Sequence, residues 1–296
     1  MGIQEDVGID TVIWRYMDLS KLLDILVNKS LAFPRSDKFE DPYEGFANNY
    51  LELTKQSYMN SAFMIKPYYG YCETGLTRNL IKIVNLNSYV SCWHMNDYES
   101  AAMWKLYCKS SDSVAIKTTV KKLNYSLIEY TDNLNTGGIS YDSKFEKIKR
   151  LEVVNIADPL FSKRESFEHE REYRMVWHNF ELLKLAKNEM EKIHKNYHEV
   201  NIAQGKYNDL TDDLKSILES GSYLVANGND LSKKYIAKIN EDNALVKHLE
   251  VNPSDLIEEI IIAPNSPDWF VKTVKLTIKE LGYHFPVRKS KLYDLD

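Results

Sequence analysis

Apolar and polar residues recur along the chain with two different periods, and they predict strands at both ends and in the middle. Residues 12–16, Val-Ile-Trp-Arg-Tyr, are β-branched and aromatic and predict a strand, and the leucines from Leu19 to Leu26 follow at helical spacing. Further strands are predicted over 31–33, 87–93, 113–119, 139–141, 170–177, 256–263 and 284–288, and further helices over 98–108 and 268–281. Strands separated by helices of varied length predict a mixed α+β domain.

A lysine- and glutamate-rich stretch interrupts this pattern. Its apolar residues are spaced by three and four, as in a short heptad-like seam: Leu183, Ala186, Met190, Ile193, Tyr197 and Val200. Helical patterns continue to about residue 250. We therefore predict one core made of 1–178 and 251–296, with a helical insertion at 179–250. The helix over 179–200 either packs on its own domain or serves as a contact or dimerisation arm.

Composition and charge narrow the classes of function. The net charge of −5 argues against a broad nucleic-acid-binding surface, and three scattered cysteines suit a reducing compartment. The sequence has no apolar run of the roughly 18 residues that span a bilayer and no signal pattern at its start. These features predict a protein that makes no membrane contact and is either soluble and cytoplasmic or exported by a route that the sequence does not show.

Common catalytic and phosphate-binding motifs are absent from the sequence, including G-x-x-x-x-G-K-[ST], G-x-G-x-x-G and G-x-S-x-G. His194 and His198 lie four residues apart, but a solvated helix face explains them better than a metal site. Cys92 and His94 flank a tryptophan without further clustered ligands. No metal site is predicted.

The segment from Lys163 to Arg174 carries the most unusual charge pattern. If it is extended, Glu170, Glu172 and Arg174 share one face. Three charged side chains facing a core are costly unless they have partners or a function. The alternative is an exposed edge strand or a solvated helix end, where such charges are of no consequence.

Several short motifs, taken in order, resemble the bacterial domain of unknown function 2971. They are Trp14-Arg15-Tyr16, the helix with Leu22, Ile25 and Leu26, the turn at 39–44, Val90-Ser91-Cys92-Trp93, Asn96-Asp97, Met103-Trp104, Tyr107, Lys163, Phe167, Glu170, Glu172, Arg174 and the strand at 260–264. The order of these parts is similar to that of the ADP-ribosyltransferase superfamily. The resemblance implies an ADP-ribosyltransferase-like split sheet with flanking helices.

The resemblance also implies roles for individual residues. Arg15, with Tyr16 beside it, would contact the nicotinamide ribose or the phosphates, and Ser91 with Trp104 or Tyr107 would hold the nicotinamide. Glu170 or Glu172 would be the catalytic carboxylate, with Glu172 slightly favoured as the second acid of the pair. Lys163 and Arg174 would either neutralise phosphates or pair with the two glutamates.

The resemblance implies that the chain would be an NAD-consuming ADP-ribosyltransferase or NAD glycohydrolase, with NAD as substrate and a protein, a nucleic acid or water as acceptor. Proteins with such folds are often bacterial toxins or phage-defence effectors, so the resemblance suggests one of these roles. One alternative is a non-catalytic module that binds a nucleotide or a protein. A less favoured one is a nuclease with magnesium held by Asp41, Glu170, Glu172 and Lys163.

Overall fold

The computed structural model describes residues 6–39, 41, 44, 85–108, 110–142, 157–179 and 244–294. The strands in these ranges are β1 (Val12–Asp18), β2 (Ser30–Pro34), β3 (Ser88–Met95), β4 (Ser113–Thr119), β5 (Leu134–Gly138), β6 (Ser140–Tyr141), β7 (Ser162–Lys163), β8 (Glu172–His178), β9 (Val246–Glu250), β10 (Glu259–Ile262) and β11 (Val287–Lys289). The α-helices are α1 (Leu19–Asn28), α2 (Ala101–Tyr107), α3 (Val120–Ser126), α4 (Pro253–Leu256) and α5 (Asp268–Glu280).

Seven of the strands form one mixed sheet, in the order β11-β10-β4-β1-β3-β8-β5. β10 and β11 run parallel, whereas the other neighbours in this sheet are antiparallel. Two smaller ladders pair β2 with β9 and β6 with β7. The prediction of a mixed α+β fold is confirmed.

Both faces of the central strands are buried, which explains their near-continuous apolar sequences. On one face Ile13 and Met17 of β1 belong to the main core, which α1 and α5 complete. On the other face Trp14 and Tyr16 pack with Met103 and Trp104 from the region of α2. Strand alternation therefore assigns every second residue of β1 to each of two cores.

The two long helices are amphipathic and bury a single stripe of apolar residues against the sheet. The buried residues are Leu22, Ile25 and Leu26 in α1, and Phe270, Val274 and Ile278 in α5. Gly282 follows α5 with a φ of 82°, a left-handed conformation that glycine adopts without strain and that commonly ends helices. In the ranges that the structure covers, no helix has the length and apolar character needed to cross a bilayer.

The sheet opens between β1 and β3. β1 pairs with β4 along all of its seven residues, from Val12 to Asp18, but its pairing with β3 is limited to Ile13 with Met95 and Trp14 with His94. Beyond Trp14 the two strands diverge, and β2 lies close enough for Arg15 Nη2 to donate a hydrogen bond to the carbonyl of Ala32, at 3.2 Å. This opening positions the candidate site.

Two predictions about secondary structure are wrong. The strand expected from residue 170 begins only at Glu172, because Glu165–Glu170 forms a 3-10 helix and Arg171 is left-handed with a φ of 41°. The helical pattern expected to about residue 250 fails at its end, where Val246–Glu250 is a strand paired with β2. The predicted heptad-like seam, His194 and His198 lie outside the described residues, as does nearly all of the predicted insertion.

Candidate functional site

A cavity of about 430 Å³ lies where β1 and β3 diverge. Its volume is within the range of roughly 300–1,000 Å³ that is typical of pockets for small molecules and cofactors. The wall is mainly apolar and rich in aromatic rings, contributed by Trp14, Tyr16, Phe39, Trp93 and Tyr107. A few polar groups interrupt that wall, chiefly Arg15, His94, Glu170 and Glu172.

Lys163 joins three carboxylates, two of which line this cavity. Its Nζ lies 2.5 Å from Glu170 Oε2 and 3.0 Å from Glu172 Oε1, and 3.8 Å from Glu44 Oε1. All four residues are buried. The two glutamates that the sequence singled out therefore meet, although only Glu172 belongs to a strand.

Arg174 supplies the second positive charge of this cluster. Its Nη2 pairs with the carboxylates of both Glu44 and Glu172, and its Nη1 donates to the carbonyl of Leu160 at 2.7 Å. The guanidinium also lies over the ring of Phe39, 5.2 Å from the centroid. The sequence left two roles open for Lys163 and Arg174, neutralising phosphates or pairing with the two glutamates. In the structure both residues pair with glutamates. We call Glu44, Lys163, Glu170, Glu172 and Arg174 the ion cluster.

The two glutamates of the pair differ strongly in proton affinity. Burial raises the pKa of Glu170 to about 7, helped by a hydrogen bond with Glu172 and opposed by Lys163. Burial also acts on Glu172, but the positive charges of Arg174 and Lys163 outweigh it and hold the pKa of this carboxyl well below its usual range. Pairs of carboxyls whose surroundings separate their pKa values are typical of acid–base sites.

The backbone around the pair is fixed by neighbouring strands. His94 Nδ1 lies 2.6 Å from the carbonyl of Glu170, and because a carbonyl only accepts, Nδ1 carries the proton. Tyr141 Oη accepts the backbone N–H of Glu172 at 2.9 Å. The left-handed Arg171 between the two glutamates turns the chain from the 3-10 helix into β8, so that both side chains reach Lys163.

Arg15 lines the same cavity in quite different surroundings. Its Nη1 donates to Ser91 Oγ at 3.0 Å, its Nη2 donates to the carbonyl of Ala32, and the guanidinium lies 5.5 Å from the centroid of the Trp93 ring. Among the described residues no carboxylate lies within 4.0 Å of Arg15. Burial without such a partner lowers its pKa.

The structure brings the predicted site residues together in two layers. Arg15, Tyr16, Tyr107, Glu170 and Glu172 line the cavity. The other four lie behind them and contact the first set: Ser91 binds Arg15, Lys163 and Arg174 bind the glutamates, and Trp104 packs on Tyr16.

Trp104 and Tyr107 were alternatives for holding a planar ring. The Trp104 ring meets the Tyr16 ring edge to face with centroids 4.9 Å apart, and its Nε1 donates to Glu99 at 3.3 Å. Trp104 is buried, whereas Tyr107 is 46% exposed and lines the cavity. Tyr107 is therefore the better placed of the two to contact a ligand.

Glu44, Cys92 and His94 are among the residues of the site that were not predicted as site residues. Glu44 is separated from Arg174 by 130 positions, and no local pattern links them. Cys92 and His94 line the cavity, although from the sequence both were considered as metal ligands, and Cys92 also as part of a family motif, and neither was given a role in the site. Alternation along the predicted strand at 87–93 places Cys92 and a following His94 on the same face, and this signal could have drawn attention to them.

The arrangement gives little support to a magnesium site. Within the described parts of the chain, no group of three or more His, Cys, Asp and Glu side chains could hold a metal ion. The carboxylates of the ion cluster face Lys163 and Arg174, and Asp41 pairs with Arg164 at 3.1 Å.

Comparison with known proteins adds a family match over part of the chain. Residues 103–175 match the family model described as protein of unknown function (DUF2971), which confirms that resemblance for this segment. The segment begins in α2 and ends in β8, and it includes Tyr107 and all of the ion cluster except Glu44. No curated protein and no solved structure matches the chain.

Proposed function

We propose that the cavity between β1 and β3 binds NAD or a related dinucleotide and that the chain cleaves the nicotinamide–ribose bond. The chain would then be an ADP-ribosyltransferase or an NAD glycohydrolase. One observation carries the proposal: Arg15, without a carboxylate partner among the described residues, lines the same cavity as Glu170 and Glu172.

Arg15 is chemically suited to bind a phosphate group. A guanidinium forms paired hydrogen bonds with phosphate oxygens, and two of its donors here contact only neutral oxygens, of Ser91 and Ala32. An anionic ligand group would supply the missing negative charge. A single arginine in a cavity achieves this without making the protein surface basic, in keeping with the net charge of −5.

Glu170 and Glu172 are chemically suited to act on the ribose that carries the nicotinamide. When the bond between the anomeric carbon and nicotinamide breaks, its electron pair leaves with the neutral nicotinamide and the ribose gains oxocarbenium character. A fixed carboxylate stabilises that developing positive charge. Water or another acceptor then bonds to the anomeric carbon and gives up a proton, which Glu170 can take because its pKa is about 7.

Aromatic side chains complete the cavity. Tyr107 and Phe39 line it together with the two glutamates, and aromatic faces hold planar rings by offset stacking. These rings would hold the nicotinamide beside the bond that breaks.

Release of nicotinamide from NAD tests the proposal directly. We expect Glu170→Gln and Glu172→Gln to abolish release, and Glu168→Gln to leave it unchanged because Glu168 is exposed on the same 3-10 helix. Thermal unfolding of each variant separates a loss of fold from a loss of chemistry. Purified protein that neither binds nor consumes NAD would contradict the proposal.

A nucleotide-binding module without catalysis is the second candidate. Its supporting observation is that Lys163 already contacts both glutamates, so that neither carboxylate is an unshielded charge. A thermal-shift screen with NAD, ADP-ribose and mononucleotides, followed by a turnover assay of every hit, distinguishes the two candidates. Stabilisation without turnover would favour the binding module.

The proposed setting is a bacterial toxin or a phage-defence effector, and only the family resemblance supports it. Its test is expression of the chain in bacteria with measurement of growth and of cellular NAD. We expect NAD to fall before growth stops, and the Glu170→Gln variant to be harmless.

A further inference from the structure

The ion cluster contains an unequal number of positive and negative groups. Two cations, Lys163 and Arg174, face three carboxylates, and all five groups are buried. A buried cluster of this kind reaches neutrality only if one carboxyl keeps a proton or if a further positive charge arrives. Two of the three carboxylates, Glu170 and Glu172, lie on the cavity wall. Glu172 pairs with both cations, whereas Glu170 pairs only with Lys163.

Other titratable groups near Glu170 do not correct this imbalance. They are Tyr107, Cys92 and His94 on the cavity wall, with His169 and Arg171 on either side in the sequence. Burial raises the pKa of the Tyr107 hydroxyl and raises that of the Cys92 thiol to about 12, so both are uncharged near neutral pH. Burial lowers the pKa of His94, so its ring is neutral as well. His169 and Arg171 are exposed to solvent, which screens their charges.

Arg15, which lines the same cavity, has the opposite imbalance. Arg15 is partly buried, and its hydrogen-bond acceptors are the neutral oxygens of Ser91 and Ala32. Two further charged residues, Lys21 and Asp24 of α1, also line the cavity, but Lys21 pairs with Asp18 and Asp24 accepts a hydrogen bond from Asn28. Arg15 on β1 therefore remains a positive charge without a counter-charge, and the ion cluster near the start of β8 remains in excess of negative charge. Charges inside a cavity interact more strongly than they would in water, because the effective dielectric constant is lower.

We infer that this cavity selects a dipolar ligand, with an anionic group at Arg15 and a cationic group at Glu170. For dinucleotides, which is the part that rests on the proposed function, the cavity distinguishes NAD+ from NADH. Both carry the diphosphate, but only the oxidised nicotinamide ring has a positive charge. The oxidised ring would provide the charge that the ion cluster lacks, and the reduced ring would not.

Binding of a matched set of ligands tests this inference separately from catalysis. The probes are carbocyclic NAD+, whose methylene in place of the ribose ring oxygen prevents cleavage, its reduced form, and ADP-ribose. Titration calorimetry well above the Glu170 pKa of about 7 should show the oxidised form binding about tenfold more tightly than the reduced form. Well below that pKa the preference should shrink toward one, because a protonated Glu170 makes the cluster neutral without the ligand.

Two variants assign the two charged groups. In Glu170→Gln the preference for the oxidised form should disappear, while the affinity for ADP-ribose stays within about twofold of the original. In Arg15→Gln all three ligands should weaken by a similar factor and the preference should persist. Glu168→Gln serves as the control for a lost surface charge.

The outcomes separate this inference from the proposed function. Selective binding of the oxidised form, without release of nicotinamide from NAD, supports the dipolar cavity and contradicts catalysis. Equal binding of both forms by the unaltered chain, or a preference that survives in Glu170→Gln, overturns the inference even if NAD is consumed. Failure of all three probes to bind overturns both.

Discussion

Arg15 and Arg174 lie in the same fold, on strands that border one cavity, yet their surroundings differ. Arg174 is fully buried and pairs with two carboxylates, Glu44 and Glu172. Arg15 is partly buried and contacts only neutral oxygens and the ring of Trp93. An arginine that pairs with buried carboxylates stabilises the folded state, whereas an arginine without a counter-charge can bind an anionic group of a ligand. We therefore expect substitution of Arg174 to affect mainly stability and substitution of Arg15 to affect mainly binding.

Replacement of Arg174 by methionine should have the largest effect on stability. The variant leaves Glu44 and Glu172 buried with Lys163 as their remaining cation, and breaking a buried ion pair in this way costs about 3–5 kcal/mol. Urea unfolding monitored by circular dichroism measures the change. The matched variant Arg15→Met should lose only about 1 kcal/mol, because the loss of two hydrogen bonds is largely offset by removal of a partly buried charge that has no counter-charge within 4.0 Å among the described residues. Equal losses in the two variants would remove the distinction between the two arginines.

Replacement of Arg15 by glutamine should have the largest effect on binding. A hydrogen bond from a charged donor contributes about 1.5–3 kcal/mol, so the affinity for ADP-ribose should fall about 10- to 100-fold. Titration calorimetry measures this loss, and Arg171→Gln is the control because Arg171 is an exposed arginine between Glu170 and Glu172 in the sequence. Unchanged affinity in Arg15→Gln would place the anionic part of the ligand elsewhere.

The proton held by Glu170 should make the free energy of unfolding depend on pH. Because the pKa of Glu170 is raised from 4.5 to about 7 in the folded chain, the folded state holds an extra proton between these values. Its contribution is present below pH 4.5 and is lost as the pH rises through about 7. Relative to Glu170→Gln, the unaltered chain should lose on the order of 1–2 kcal/mol of unfolding free energy across this window.

The comparison with Glu170→Gln is needed because other groups titrate nearby. Burial lowers the pKa of His94 and lowers that of His178 to about 4, and both effects make the folded chain more stable as the pH rises. The lowered pKa of Glu172 acts in the same direction at more acidic pH. The contributions of the two histidines cancel in the difference between the two proteins, and the titration of Glu172 lies below the pH window in which Glu170 titrates. A difference that is flat with pH would mean that Glu170 holds no extra proton.

The sequence was informative where the chemistry is local. Strand alternation predicted β4 over 113–119 with its observed bounds, and charge alternation pointed to Glu170, Glu172 and Arg174. It could not predict Glu44, whose contact with Arg174 depends on a turn far away in the sequence. Arg171 shows a second limit, because an arginine in a left-handed conformation has no signature in the residue pattern.

The cavity itself was not predictable from periodicity. Apolar residues alternate in the same way along the whole of β1. This pattern does not show that β1 pairs with β4 over its entire length but leaves β3 after Trp14. The ADP-ribosyltransferase-like split sheet was implied only by the family resemblance, and it stays a prediction. β9 was missed for a related reason: Val246 and Leu249 are the apolar residues of this short strand, and pairing with β2 establishes it.

The smallest effect should come from Ser91, which connects Arg15 to the rest of the fold. Ser91 Oγ accepts hydrogen bonds from Arg15 and, at 3.1 Å, from Trp93 Nε1, so Ser91→Ala removes one contact from each. Arg15 keeps its bond to Ala32 and its charge, and its guanidinium loses only part of its orientation. We expect the affinity for ADP-ribose to fall about two- to fivefold, and Ser91→Thr, which restores a hydroxyl, to recover most of it. A loss as large as that of Arg15→Gln would show that Ser91 contacts the ligand itself and does more than position the arginine.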